Sequence, residues 1–290
     1  IELDCAAFLN IAPEHIESHG SFEKYLEAKL RLGKLLEKSP KERRTMIVNA
    51  DDPHGVRFMK LEVEEVIPFK MKDAEPWETT ETGIDFTFDG VRILSPLRGE
   101  FNIANALAAA TFAKSQGIPA NTIKIGIENV KRIPGRVEFV KASPSQDFYV
   151  VIDYAHTAES LEALYKAFPN QKKICVLGNT GGGRDTWKRP VMAQMAEKYC
   201  DEIILTNEDP YDEDPRAIID VMKQAITKKP TEIIMDRREA IREAIKKSKK
   251  GDVVLITGKG TDPYIMEAEG KKTPWSDSKV AKEELEKNFL

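Results

Sequence analysis

Residues 150–190 read VVIDYAHTAESLEALYKAFPNQKKICVLGNTGGGRDTWKRP. An apolar run over 148–152 ends on Asp153 and His156, and a helix-like segment follows. A second apolar run over 173–177 ends in a Gly-rich turn at 178–183, which leads into a charged helix start with Arg184, Asp185, Lys188, Arg189 and Pro190. Two strands that deliver polar or Gly-rich residues at their C-terminal ends form the edge of an open α/β sheet, where ligands bind. Glycines at such an edge let backbone N–H groups approach an anion, and the dipole of the next helix adds to the attraction. Downstream, strand-like and helix-like segments keep alternating, at 202–206, 215–227, 232–236, 237–248, 252–257 and 279–288. That alternation predicts right-handed βαβ units and a mostly parallel, Rossmann-like sheet covered on both faces.

Upstream the pattern differs. A first strand is expected at 4–11, then an amphipathic helix over 21–39 with Phe22, Tyr25, Leu26, Leu30 and Leu36 on its apolar side. Lys29 falls on the Tyr25/Leu26 side of that helix, where a lysine snorkels to water. A strand at 45–48 runs into NADDP, 49–53, placed either for a ligand or as ordinary turn chemistry. Another strand covers 61–69, and 84–94 alternates on both sides of Asp89-Gly90, the signal of a hairpin. Helices are expected at 101–115 and 121–130. Asn102 and Asn105, three apart at the start of the first, share one face as caps or as base readers. The sequence Ile133-Pro134-Gly135-Arg136 breaks the pattern. KASPSQD at 141–147 marks a boundary, giving domains at 1–138 and 139–290.

At 290 residues there is room for two domains, each with a sizeable core. With 41% hydrophobic and 32% charged residues the chain is an ordinary globular protein, and its net charge of −4 leaves no basic footprint for nucleic acid. The apolar runs have the length of core strands and fall far short of a bilayer span, so no membrane insertion is expected. Cys5, Cys175 and Cys200 are odd in number, irregularly spaced and set in or beside apolar runs, which reads as reduced core thiols in a cytoplasmic protein. The chain begins with Ile1 in a segment, IELDCAAFLNI, that reads as a strand already under way, so a longer parent protein is expected. No G-x-G-x-x-G follows the first strand of the second domain, which sets aside a nicotinamide-dependent dehydrogenase.

DYAHT at 153–157, PGRVE at 134–138 and GNTGGGRD…KRP at 178–190 together resemble the C-terminal half of Mur ligases. The nearest branch is the one that adds the third residue of the peptidoglycan stem peptide. EHIESHGSFEKYLEAK, NADDP, GEFNIANALAA, TNEDPYDEDP and GKGTDPY extend the resemblance, in the family's order, from about Asn10 to the end. It implies a partial Mur ligase central domain followed by a Rossmann-like C-terminal domain, acting as a monomer. It also implies an ATP-dependent, ADP-forming amide ligase that joins an amino acid to a UDP-muramoyl-dipeptide through an acyl phosphate, with Mg²⁺ neutralising phosphate charge.

The resemblance also implies residue roles. His15 and Lys29 would serve at a metal, Lys29 as a carbamate, a change that would relieve a semi-buried ammonium. Asn102, Asn105, Arg136 and Asp153 would face ATP, and His156 and Lys188 would be catalytic. Arg184, Asp185, Glu208, Asp209, Tyr211, Gly258, Lys259 and Asp262 would line the amino-acid side. The chain departs from the family at several points. The Asn-Pro-Arg triplet of diaminopimelate-adding ligases is replaced by Asp209-Pro210-Tyr211, and the acidic run from Glu208 to Glu213 suits an ammonium-ended side chain such as lysine or ornithine. GKGTD stands where Gly-Lys-Gly-His-Glu is usual, and the Gly-rich turn is one residue longer. Most consequential, no G-x-x-x-x-G-K-[ST] loop occurs, so the chain alone is expected to lack ligase activity. Two alternatives remain: a related acid–amino-acid ligase of the folylpolyglutamate type, and a non-catalytic nucleotide- or amino-acid-binding module.

Overall fold

The computed structural model describes residues 2–288. The chain divides into two compact units after Lys131.

The first unit runs β1 (Cys5–Phe8), α1 (Ile16–His19), α2 (Phe22–Glu37), β2 (Thr45–Asn49), α3 (Gly55–Phe58), β3 (Glu65–Phe69), β4 (Glu78–Thr80), β5 (Gly83–Phe88), β6 (Val91–Ser95), α4 (Phe101–Ser115) and α5 (Ala120–Asn129). Strands β1, β2 and β3 form a parallel sheet in that order, and β4, β5 and β6 a separate antiparallel one. The hairpin read from Asp89-Gly90 is present, with both residues at positive φ (50° and 75°), the mirror-image turn that matches strand twist. Ser21 caps α2, its hydroxyl accepting from the Lys24 N–H at 3.2 Å. Leu26, Leu36, Met46 and Val48 fill one core, and Phe86, Ile93, Ile103 and Leu107 a second beneath the hairpin.

The second unit runs β7 (Glu138–Val140), β8 (Tyr149–Asp153), α6 (Ala158–Lys166), β9 (Lys173–Leu177), α7 (Lys188–Tyr199), β10 (Glu202–Leu205), α8 (Pro215–Gln224), β11 (Thr231–Ile233), α9 (Arg237–Lys247), β12 (Val253–Thr257), β13 (Tyr264–Met266), β14 (Lys272–Pro274) and α10 (Asp277–Asn288). Its six-stranded sheet has the order β11-β10-β9-β12-β8-β7, parallel except for β7. The alternation at 148–288 thus produces the expected parallel sheet, and β9 and β12 are buried throughout, as strands covered on both faces must be. Strand β7 pairs with β8, so the structural division falls after Lys131, a few residues ahead of the boundary expected near Glu138. Strand β12, last of the parallel strands in the chain, lies between β8 and β9. From β9 the chain proceeds toward β10, whereas α10, which follows β12, packs on the β7/β8 side. The crevice beyond the C-terminal ends of β9 and β12 is therefore the switch point of this sheet, the place where α/β folds bind ligands.

Cys175 and Cys200 form a disulfide, and Cys5 is the free thiol, which corrects the expectation of three reduced cysteines. The cause is topological. The β9–α7–β10 crossover ends on Cys200 just before β10, and β10 pairs with β9 so that Ile203 lies opposite Cys175. Two buried sulfurs 25 residues apart in sequence become neighbours, a proximity that their spacing does not announce. Among the described residues no helix is long and apolar enough to cross a membrane.

Candidate functional site

The loops that leave β9, β10 and β12 meet at the switch point of the second unit. The Gly-rich turn after β9 lies over the run after β10: the Gly181 N–H donates to the Asp209 carbonyl at 2.7 Å, and Thr180 Oγ1 to Glu208 Oε1 at 3.0 Å. Glu208 is buried, and its Oε2 has no hydrogen-bond partner among the described residues. Gly258 (φ 103°) opens the loop after β12 and leaves room for this carboxyl, since a Cβ there would come within 2.1 Å of Oε2. Burial pushes the Glu208 carboxyl up from its ordinary range. Arg237 and Lys259 oppose that rise and the Asp209 charge adds to it.

Lys259, only 1% exposed, donates to both oxygens of Asp209 at 2.8 and 2.7 Å, and Asp209 Oδ1 also accepts from the Met266 N–H at 2.8 Å. Asp262 stands 3.7 Å from the same ammonium. Arg189 grips both oxygens of Glu213 at 3.0 and 2.9 Å, so its anion is an internal carboxylate. Asp212 accepts from the Glu269 N–H at 2.7 Å. The run Glu208–Glu213 is thus largely neutralised or engaged by its own unit. This corrects the sequence argument that its acidity awaits the ammonium of lysine or ornithine. Tyr211 holds a left-handed backbone (φ 52°), and its ring carries the Arg184 guanidinium 4.8 Å from the centroid. Asp185 (φ 46°) and Lys188 are buried at the start of α7. Arg237, which sequence reasoning missed, is also buried in this unit: it pairs with Asp277 at 2.7 Å and donates to the Thr257 carbonyl at 2.8 Å. Its position inside a charged helix gave no hint of burial.

A second cluster of the same unit surrounds the end of β8. Asp153 accepts from the Val137 N–H through Oδ2 and from the Ala155 N–H through Oδ1, both at 2.7 Å. Burial pushes its carboxyl up, against the pull of those two N–H groups and of the Arg136 and His156 charges. Arg136 is exposed, with its guanidinium 4.4 Å from the Tyr154 ring centroid. His156 lies edge-on to the same ring at 4.6 Å, and its Nδ1 is 2.9 Å from the Tyr154 carbonyl. A carbonyl only accepts, so Nδ1 carries the proton.

The remaining sequence-derived residues belong to the first unit. Asn102 is buried, donating to the Arg98 carbonyl at 2.7 Å, and Asn105 donates to Asn102 at 3.3 Å, so the shared face is real but Asn102 is not a capping acceptor. His15 (φ 56°) and Lys29 both approach Tyr25, with ring centroids 5.6 Å apart for His15 and the Lys29 ammonium 5.2 Å from the ring. Lys29 is exposed, so the semi-buried ammonium invoked in favour of carbamylation is not found. No group of three or more His, Cys, Asp or Glu among the described residues could hold a metal ion. His15 and Lys29 do not by themselves compose the oxygen-rich shell that Mg²⁺ requires. The NADDP run is stitched to neighbouring backbone: Asp51 accepts from the Met71 N–H at 2.6 Å, and Asp52 from Ile11 and His54 at 3.2 and 2.8 Å. That is its turn role.

Both units have counterparts among known proteins. Residues 1–113 match the Mur ligase middle domain, and residues 135–260 match the Mur ligase glutamate ligase domain. The chain is 35% identical over 274 residues, 91% of its length and 56% of the relative's, to UDP-N-acetylmuramoyl-L-alanyl-D-glutamate–2,6-diaminopimelate ligase of Halalkalibacterium halodurans. It is 37% identical to the protein of the same name from Aquifex aeolicus, covering 97% of this chain and 58% of that one. A solved structure of a ligase of that name superposes with a TM-score of 0.60 at 27% identity, covering 99% of this chain and 61% of that one. The chain therefore spans less than two thirds of the relatives it matches. It belongs to the Mur ligase family.

Proposed function

We propose that this chain is part of an ATP-dependent ligase that joins an amino acid to UDP-N-acetylmuramoyl-L-Ala-D-Glu in peptidoglycan precursor synthesis. The observation that carries the proposal is the likeness to both family domains, in the family's order, over nearly the whole chain. In such a reaction a carboxylate oxygen attacks the terminal phosphorus of ATP and ADP leaves. The amine then attacks the acyl carbon, a proton is lost and phosphate departs. Arg136, Asp153 and His156 of the second unit would serve nucleotide binding, and so would Asn102 and Asn105 of the first. Lys188 would serve the transferring phosphate. Arg184, Asp185, Glu208, Asp209, Tyr211, Gly258, Lys259 and Asp262 would form or support the amino-acid side. His15 and Lys29 would contribute to a metal site completed outside the described residues, where Mg²⁺ would neutralise phosphate charge.

Diaminopimelate is the first amine to test, because the relatives carry that name and because the acidic loop is already neutralised from within. The test is ADP release and amide formation from ATP, UDP-muramoyl-dipeptide and each of diaminopimelate, lysine and ornithine. With no phosphate-cradling loop of the G-x-x-x-x-G-K-[ST] type, the 290-residue chain alone is expected to form no ADP. The same chain in its parent is expected to form the amide. Product without ATP, or none with any of the three amines, overturns the proposal.

A further inference from the structure

The turn Pro134-Gly135-Arg136-Val137 contains a residue in the wrong conformation for its type. Val137 lies at φ 46°, in the left-handed region that a β-branched side chain disfavours most. It is buried, as is Gly135 (φ 62°), so the exposed Arg136 is carried between two left-handed residues. Strain of this kind persists only where the surroundings over-determine it.

Here they do. The Val137 N–H is held by Asp153 Oδ2, and the other Asp153 oxygen is anchored to the Ala155 N–H, so the carboxylate spans the turn and the end of β8. The Gly135 N–H donates to Glu138 Oε2 at 2.8 Å, and the Tyr154 N–H to the Gly135 carbonyl at 3.0 Å. Gly135 also abuts the Gly260–Thr261 backbone, where a Cβ would come within 2.6 Å. Arg136 has no carboxylate partner among the described residues. Its guanidinium rests over the Tyr154 ring and donates to the Gly135 carbonyl at 3.0 Å. Its charge acts on Asp153 through space but makes no ion pair with it, so the guanidinium is prepared to donate to an anion from outside.

We propose that Asp153 is a positioning residue: it holds Val137 left-handed and thereby fixes Arg136 over Tyr154, facing an anionic group of the phosphate class. The inference rests on the nucleotide-binding role given to Arg136 above, but the coupling itself is independent of any ligand. Asparagine at 153 keeps one acceptor and turns an N–H donor toward one of the two backbone N–H groups. Glycine at 137 adopts the left-handed conformation without strain and removes the need for the clamp.

The test follows amide and guanidinium NMR signals in the 290-residue chain. Asp153→Asn is expected to raise Val137 amide exchange by on the order of tenfold, since a charge-assisted bond is lost, and to move the Arg136 Nε–H signal out of the Tyr154 ring current. Val137→Gly in the Asp153→Asn background is expected to return the Arg136 signal. If Asp153→Asn leaves that signal in place, or if Val137→Gly does not return it, the proposal is overturned. If Asp153→Asn does not fold, the double variant decides: folding supports the clamp, and failure to fold overturns it. Titration with ATP separates the two layers. Arg136→Ala and Asp153→Asn are expected to weaken ATP binding alike, with recovery in the double variant. Unchanged ATP binding in Arg136→Ala, with the NMR rescue intact, refutes the nucleotide role and leaves the clamp standing.

Discussion

Lys259 reaches both carboxylate oxygens of Asp209 from a site with almost no solvent contact. The two residues lie 50 positions apart and tie the loop after β12 to the loop after β10. Removing one member strands a buried charge, which costs about 3–5 kcal/mol. Lys259→Met should therefore lower the urea midpoint sharply. Lys259→Met/Asp209→Leu should recover much of the loss, which equilibrium unfolding of the three chains measures.

Glu208 has the opposite character. Burial holds its carboxyl above the ordinary range, so the folded state favours the protonated form. A raised folded pKa contributes stability below the unfolded value, near 4.3, that is lost as pH rises through the folded value. Glu208→Gln, which imitates the neutral acid, should match the parent in acid and become relatively more stable as pH rises. Thermal unfolding at several pH values checks this, and a constant difference refutes it.

Glu284 behaves conversely. Burial alone would raise its carboxyl, but hydrogen bonds from Arg242, Lys287 and Arg238 outweigh it and bring the pKa to about 2. The contribution is complete above the ordinary glutamate value and lost as pH falls from there toward 2. Glu284→Gln should destabilise the junction of α9 and α10 at neutral pH, with the deficit shrinking on acidification. Paired melting curves of parent and variant show whether it does.

The Cys175–Cys200 bond closes a loop of 25 residues, worth about 3 kcal/mol by restriction of the unfolded chain. Thiol titration of the unfolded chain should count one thiol before reduction and three after. Reduction should lower the melting temperature by several degrees, and the Cys175→Ala/Cys200→Ala variant should be insensitive to reductant.

The second unit was legible because its strands and helices alternate, each strand a short apolar run that ends in a polar or glycine-bearing loop. β7, β13 and β14 were not: three residues each, they owe their form to a neighbour rather than to their own pattern. At the site, Arg136, Asp153, Glu208 and Lys259 could be picked out as residue types. What they do depended on pairings across 16 to 50 positions, which no local period encodes. The acidic run at 208–213 illustrates the limit, since its charge is visible in sequence and its internal counter-ions Lys259 and Arg189 are not. Lys29 shows the same in reverse, an amphipathic position that turned out to be exposed beside Tyr25.

The placement of β12 has a consequence for biosynthesis. The strand at the middle of the larger sheet is the last of the parallel set to be translated, so a nascent chain that stops short of Val253 presents β8 and β9 as two open edges with nothing between them. Products stalled or terminated before β12 should be sticky and short-lived, and the sheet can close only once Val253–Thr257 has been made.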